Sequence, residues 1–145
     1  MHRVLFVCTA NIFRSRFSEE VYNHLIVKEQ ISSTAFSAGL KVGAYITRTI
    51  YKPALDELIQ LRIKPLRKND FSVHINELEL SKYNRIICLD ELEHQPMVQS
   101  NHKLRDMNIE YWNIVDEPKV SSDVSLPQCY ERVKNLVSQL SVELS

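Results

Sequence analysis

The sequence predicts an α/β fold: a three-layer sandwich in which a four-stranded parallel sheet is flanked by helices on both faces. Three observations predict it. Short apolar runs alternate with longer amphipathic ones along the 145 residues, a pattern that demands parallel strands joined by right-handed helical crossovers. The first run, Val4-Leu5-Phe6-Val7, is too short for a helix and rich in β-branched and aromatic residues, as suits a central strand buried on both faces. The last amphipathic stretch places Tyr130, Val133, Val137, Leu140 and Leu144 three or four residues apart, on one face of a helix.

The elements follow in order. Arg3–Cys8 reads as the first strand, and Arg16–Glu29 as a helix with Phe17, Val21 and Leu25 at intervals of four. Thr34–Ala38 and the helix Lys52–Arg62 come next, then Arg85–Leu89 with Glu91–Asn101, then Ile109–Trp112 with Leu126–Leu144. No repeat, linker or low-complexity segment interrupts them, so residues 1–145 read as a single domain large enough to bury a sizeable core. The two glycines, Gly39 and Gly43, flank one loop and mark it as a pocket wall.

Composition narrows the function. Eighteen Lys and Arg balance eighteen Asp and Glu, so no overall basic surface points to nucleic acid. No stretch has the length of a membrane span, and the N-terminus enters a strand without a signal-peptide pattern. Cys8, Cys88 and Cys129 are odd in number and widely spaced, which gives neither a disulfide framework nor a metal knuckle, and the five histidines lack metal-like spacing. No metal or cofactor is implied. A reducing cytoplasm is the expected setting.

The chemistry concentrates after the first strand, in Cys8-Thr9-Ala10-Asn11-Ile12-Phe13-Arg14-Ser15. In open α/β sheets, ligands bind at the C-terminal ends of strands. A loop whose backbone N–H groups turn inward cradles an anion, and the following helix adds partial positive charge. A cysteine in that field is expected to ionise more readily, Arg14 to fork two oxygens of a tetrahedral oxyanion, and Ser15 to hydrogen-bond the sulfur. Together they describe a nucleophilic cysteine in a phosphate-shaped pocket, able to form a thiophosphate intermediate. Asn11 tolerates left-handed backbone geometry and reads as loop framework rather than catalyst. Asp90 reads as a strand-end or helix-capping residue.

These residues resemble the low-molecular-weight protein tyrosine phosphatases. The resemblance rests on Val-Leu-Phe-Val-Cys-x5-Arg-Ser with Asn11 inside the loop and Ser18-Glu19 beyond it. It continues in Ser37-Ala38-Gly39, in Tyr83-Asn84-Arg85-Ile86-Ile87-Cys88-Leu89-Asp90, and in Trp112-Asn113-Ile114-Val115-Asp116, in the family's order over nearly the whole chain. It implies a metal-free, cysteine-dependent phosphomonoesterase acting on tyrosine-phosphorylated proteins and binding inorganic phosphate or other oxyanions. Cys8, Arg14 and Asp116 would be catalytic, the last as general acid. Thr9, Ala10, Asn11, Ile12, Phe13, Ser15 and Ser37 would form the phosphate site and its framework.

The chain departs from the family in four places. The family places proline directly after the aspartate, whereas Asp116-Glu117-Pro118 carries one extra residue, so Glu117 is an alternative acid. Phe13 stands where many members have a second cysteine, so Cys8 lacks that partner for a protective disulfide. Lys119-Val120 replaces an aromatic pair, leaving Ile12, Phe13 and Tyr45 to wall the substrate pocket. Ser-Ala-Gly is followed by Leu40-Lys41-Val42, without the tryptophan common in eukaryotic members.

Two rival readings remain. Cys8-Thr9-x-Asn11 and Cys88-x6-Gln95-Pro96 resemble thioredoxin-linked arsenate reductases, although Gln95 holds the position of that family's last cysteine. A non-catalytic phosphate-binding regulatory module would keep the cradle with a misplaced acid.

Overall fold

The structure, a computed structural model, describes residues 1–43 and 48–144. Its sheet has four parallel strands in the order β2-β1-β3-β4. They are β1 (His2–Cys8), β2 (Ser33–Gly39), β3 (Arg85–Cys88) and β4 (Glu110–Tyr111). Four α-helices join and follow them: α1 (Arg14–Lys28), α2 (Lys52–Gln60), α3 (Glu91–Gln99) and α4 (Ser122–Glu143). Two short 3₁₀ turns, Ile75–Glu77 and Leu80–Lys82, precede β3.

Strand β1 is central because its residues are apolar on both sides. Side chains alternate across a strand, so Val4 and Phe6 enter one core and Leu5 and Val7 the other. The first core lies under α1, α2 and α4 and holds Phe17, Val21, Tyr22, Leu58, Val133 and Val137. The second lies under α3 and holds Ile75, Ile86, Cys88, Val98 and Leu104. Helices thus cover both faces, as the alternation of elements demands.

The element ends depart from the sequence reading for local reasons. Helix α1 begins at Arg14 rather than Arg16, directly from the loop, and its buried face runs through Phe17, Val21, Tyr22 and Ile26, with Leu25 only partly buried. It stops at Lys28 because Gln30 takes a positive φ of 57°. Helix α2 stops at Gln60, ahead of Arg62 at a φ of 59°. Helix α3 likewise ends at Gln99, short of Asn101, with Ser100 at its C-cap. Helix α4 begins at Ser122, four residues before Leu126, with Pro127 inside it rather than at its start. Strand β4 shrinks to two residues, although the Trp112 N–H still reaches the Cys88 carbonyl at 2.8 Å.

Register puts the site at one edge. β1 pairs with β2 from His2 against Ser33 to Cys8 against Gly39, and with β3 from Val4 against Arg85 to Val7 against Cys88. Cys8, Gly39 and Asp90 therefore gather at the C-terminal end of the sheet. Gly39 is required there: a Cβ on it would lie 2.7 Å from the Thr9 carbonyl oxygen. That close approach lets Leu40 N–H reach the Cys8 carbonyl at 2.9 Å and Lys41 N–H the Thr9 carbonyl at 2.8 Å, fixing the loop's first residues.

Candidate active site

The loop from Cys8 to Phe13 leaves β1 and enters α1 without a capping side chain at the helix start. The first-turn N–H groups therefore lack a side-chain acceptor, the arrangement that favours an anion. Asn11 turns the loop at a φ of 59° and is fully buried. Its side chain is held at both ends. Val73 N–H donates to Asn11 Oδ1 at 3.0 Å, while Nδ2 donates to Ser15 Oγ at 2.8 Å and Ser37 Oγ at 2.9 Å. Ser72 Oγ donates to the Asn11 carbonyl at 2.8 Å.

The same polar chain continues away from the cleft. Ser37 Oγ donates to Glu19 Oε1 at 2.5 Å, and Arg67 Nε donates to Glu19 Oε2 at 2.6 Å. The adjacent Glu20 accepts the backbone N–H groups of Leu66 and Arg67 at 2.9 and 3.0 Å. Glu19 and Glu20 thus belong to a structure that straps residues 66–73 against the loop. Buried carboxylates of this kind persist only when fully hydrogen-bonded.

Cys8 Sγ lies 2.9 Å from Ser15 Oγ. Arg14 is 1 % exposed and presents its guanidinium to the same place. One terminal nitrogen donates to the Ile114 carbonyl at 2.9 Å, and the other to Glu93 at 3.1 and 3.2 Å and to Asp116 Oδ2 at 3.2 Å. Burial opposes the Arg14 charge, but Cys8, Asp116 and Glu93 outweigh it and raise its pKa further. Arg14 Nε is buried and has no hydrogen-bond partner among the described residues. An orphaned charged donor is costly unless a ligand or a turn of the guanidinium satisfies it, and Arg14 lines the cleft beside the loop.

A cleft of about 390 Å³ opens above these atoms, lined by Cys8, Thr9, Ala10, Ile12, Phe13, Arg14, Tyr51, Asp116, Glu117 and Pro118. The structure thus brings together Cys8, the loop residues, Arg14 and Asp116, with Ser15 and Ser37 behind them. Asp116 Oδ2 faces Arg14, while its Oδ1 accepts the Glu117 N–H at 2.8 Å. Glu117 lines the cleft with an exposed side chain. Tyr45 lies outside the described residues. Tyr51, which the sequence did not single out, forms a wall, its ring edge-on to Phe13 with centroids 5.6 Å apart. Its signal was faint: an exposed aromatic just before the Lys52-Pro53 helix start.

Glu93 and His94 are the other residues that sequence reasoning missed. Both sit in the first half of α3, next to Thr9 and Arg14. Asp90 stands at the α3 N-cap but makes no capping bond through its side chain; its backbone N–H donates to His94 Nδ1 at 3.2 Å. The other cysteines do not line the cleft. Burial, with the Cys8 charge adding to it, pushes the Cys88 thiol up to about 12, and burial does the same for Cys129. Among the described residues no group of three or more His, Cys, Asp or Glu side chains is arranged to hold a metal ion. Among the described residues no helix is long and apolar enough to cross a membrane.

Comparison with known proteins gives this geometry a class. The family profile for low molecular weight phosphotyrosine protein phosphatase matches residues 3–145, and the chain belongs to that family. Membership supports cysteine-dependent phosphatase chemistry on phosphorylated substrates. No curated protein sequence matches the chain. Among solved structures, YfkJ from Bacillus subtilis superposes with a TM-score of 0.84 at 19% identity, covering 100% of this chain and 98% of its own. An arsenate reductase from Archaeoglobus fulgidus gives 0.69 at 23%, covering 93% and 98%. The YwlE arginine phosphatase of Bacillus subtilis gives 0.74 at 18%, covering 98% and 95%. At these identities the likeness shows the shared fold.

Proposed function

We propose that the chain is a cysteine-dependent protein tyrosine phosphatase. The observation that carries this reading is the cleft itself: Cys8 and Arg14 line it together, with Ile12, Phe13 and Tyr51 as apolar and aromatic walls. An aryl phosphate needs a phosphate cradle under a slot for a flat ring, and this cleft offers both.

The reaction follows from the placement. Cys8 sulfur attacks phosphorus in line, the P–S bond forms and the P–O bond to the phenol breaks. Arg14 and the loop N–H groups hold the equatorial oxygens, where stabilisation of phosphoryl transfer is concentrated. Asp116 gives a proton to the leaving phenolate, then takes one from the water that attacks the thiophosphate and releases phosphate and Cys8. Asp116 is preferred to Glu117 because its carboxylate already faces Arg14, while Glu117 stands exposed at the cleft mouth. No step requires a metal ion. A reducing compartment such as the cytoplasm suits a free nucleophilic thiol.

Arsenate reduction by a thiol relay is disfavoured. Such a relay needs resolving thiolates that reach the first one. Cys88 and Cys129 are fully buried and held protonated, and residue 95 is glutamine. The substrate class is tested with peptides carrying phosphotyrosine, phosphoserine or phosphoarginine at one position. Phosphate release from the phosphotyrosine peptide at the highest kcat/KM is expected. A preference for phosphoarginine or phosphoserine would overturn the tyrosine assignment.

A further inference from the structure

Glu93 gathers partners from three segments. Thr9 Oγ1 donates to Glu93 Oε2. Arg14 donates to both carboxylate oxygens, at 3.1 and 3.2 Å. His94 Nε2 lies 3.2 Å from Glu93 Oε2 and 3.1 Å from Thr9 Oγ1. His94 is fully buried, and its ring has a fixed polarity. Because the Asp90 N–H donates to Nδ1 at 3.2 Å, that nitrogen is unprotonated and the proton sits on Nε2. The bonds therefore run one way: backbone to His94, His94 to Thr9 and Glu93, Thr9 and Arg14 to Glu93. Burial opposes the charge on Glu93, but the hydrogen bonds from His94 and Thr9 and the Arg14 guanidinium hold its carboxyl well below the usual carboxylate range.

This carboxylate has no part in the bond-making steps above. It is absent from the cleft lining, where Asp116 and Glu117 are present. A half-buried negative charge next to the phosphate-binding arginine also repels phosphate, so its placement needs a compensating effect. Arginine has many rotamers, and freezing a free guanidinium on substrate binding costs affinity and rate. Arg14 is instead held on one terminal nitrogen by the Ile114 carbonyl and on the other by both oxygens of Glu93, with Asp116 as a further acceptor.

We propose that Glu93 is a positioning residue for phosphoryl transfer: from outside the cleft it fixes the rotation of the Arg14 guanidinium and ties the Thr9 side of the loop to α3. This rests on the phosphatase reading, which makes Arg14 the ligand of the phosphoryl oxygens. His94 in turn holds Glu93 and Thr9 in place.

Two conservative variants separate reach from charge. Glu93→Gln keeps the reach and an acceptor oxygen but removes the charge. Glu93→Asp keeps the charge but shortens the arm by one methylene. Both are assayed for para-nitrophenyl phosphate turnover and, by calorimetry, for binding of inorganic phosphate. Positioning requires Glu93→Gln, which keeps only one of the two acceptors that Arg14 uses, to lose less in kcat and in phosphate affinity than Glu93→Asp, which should lose about tenfold or more in both, the scale of one hydrogen bond to a charged group. Near-parental kcat and binding in both variants, or loss in Glu93→Gln with Glu93→Asp unaffected, would overturn it. If the parent fails to turn over the aryl phosphate, the phosphatase reading falls, and phosphate binding by the two variants still decides the role of Glu93.

Discussion

Asn11 Nδ2 donates to Ser15 Oγ at 2.8 Å and leaves the Ser15 hydroxyl hydrogen available to Cys8 Sγ, 2.9 Å from that oxygen. The amide cannot be turned over, because its oxygen accepts the Val73 N–H at 3.0 Å. Ser15 Oγ therefore receives a hydrogen from Asn11 and directs its own to the Cys8 thiolate, which can only accept, 2.9 Å away. Sulfur is the acceptor in that pair, which is what a nucleophile and later a leaving thiolate require. Ser15→Ala should therefore lower kcat for an aryl phosphate by about tenfold to a hundredfold, the value of a charge-assisted hydrogen bond of about 1.5–3 kcal/mol. Steady-state kinetics check this, and an unchanged kcat would remove Ser15 from the chemistry.

Asp116 and Glu117 are separable by leaving group. Asp116→Ala should slow alkyl and unactivated aryl phosphates by about a hundredfold or more, and para-nitrophenyl phosphate much less, because nitrophenolate needs little protonation. Glu117→Ala should leave the ratio between good and poor leaving groups within about threefold. A Brønsted plot over substituted phenyl phosphates gives the comparison. A steepened slope for the Glu117 variant, with a parental slope for the Asp116 variant, would exchange their roles.

The thiols differ by environment. Burial disfavours the thiolate and so raises a thiol's pKa; Cys88 and Cys129 are pushed up to about 12 and stay protonated at pH 8. Iodoacetamide at that pH should add one carboxamidomethyl group, at Cys8, and inorganic phosphate should slow the addition. Peptide mass mapping locates it. Labelling of Cys88 or Cys129 in the folded protein at a comparable rate would contradict their placement.

Oxidation follows from the same arrangement. Phe13 precedes Arg14, so no cysteine is available inside the loop. Cys88 packs with Val7 on the α3 side of the sheet, and Cys129 is fully buried in α4. A sulfenic acid formed at Cys8 has no ready resolving thiol and should proceed to sulfinic acid. Activity after prolonged peroxide should therefore recover only in small part on adding dithiothreitol. Full recovery would show that a disulfide protects Cys8.

The first strand and its loop were legible because their signal is local: a short apolar run, a thiol, and Arg-Ser at a fixed spacing. Helix ends were less legible, because Gln30 and Arg62 adopt positive φ that no glycine announces. The apolar spacing starts the last helix at Leu126, yet the chain enters α4 at Ser122, a turn earlier. The polar strap was only partly visible: Ser18-Glu19 and Ser37 stand out beside the loop, but Arg67 meets Glu19 across 48 residues of chain. Glu93 was missed for the same reason. On a helix, a glutamate beside a histidine looks like a solvated face, and only the crossover that sets α3 beside the loop brings it to Thr9 and Arg14.

The central claim is that Cys8 is the nucleophile of a metal-free phosphatase. The most direct measurement is hydrolysis of para-nitrophenyl phosphate in the presence of a chelator, for the parent and Cys8→Ser side by side. Turnover by the parent that chelation leaves intact, that Cys8→Ser abolishes and that vanadate inhibits competitively is the expected result. Turnover that survives in Cys8→Ser, or a parent that binds phosphate without hydrolysing the ester, would contradict it.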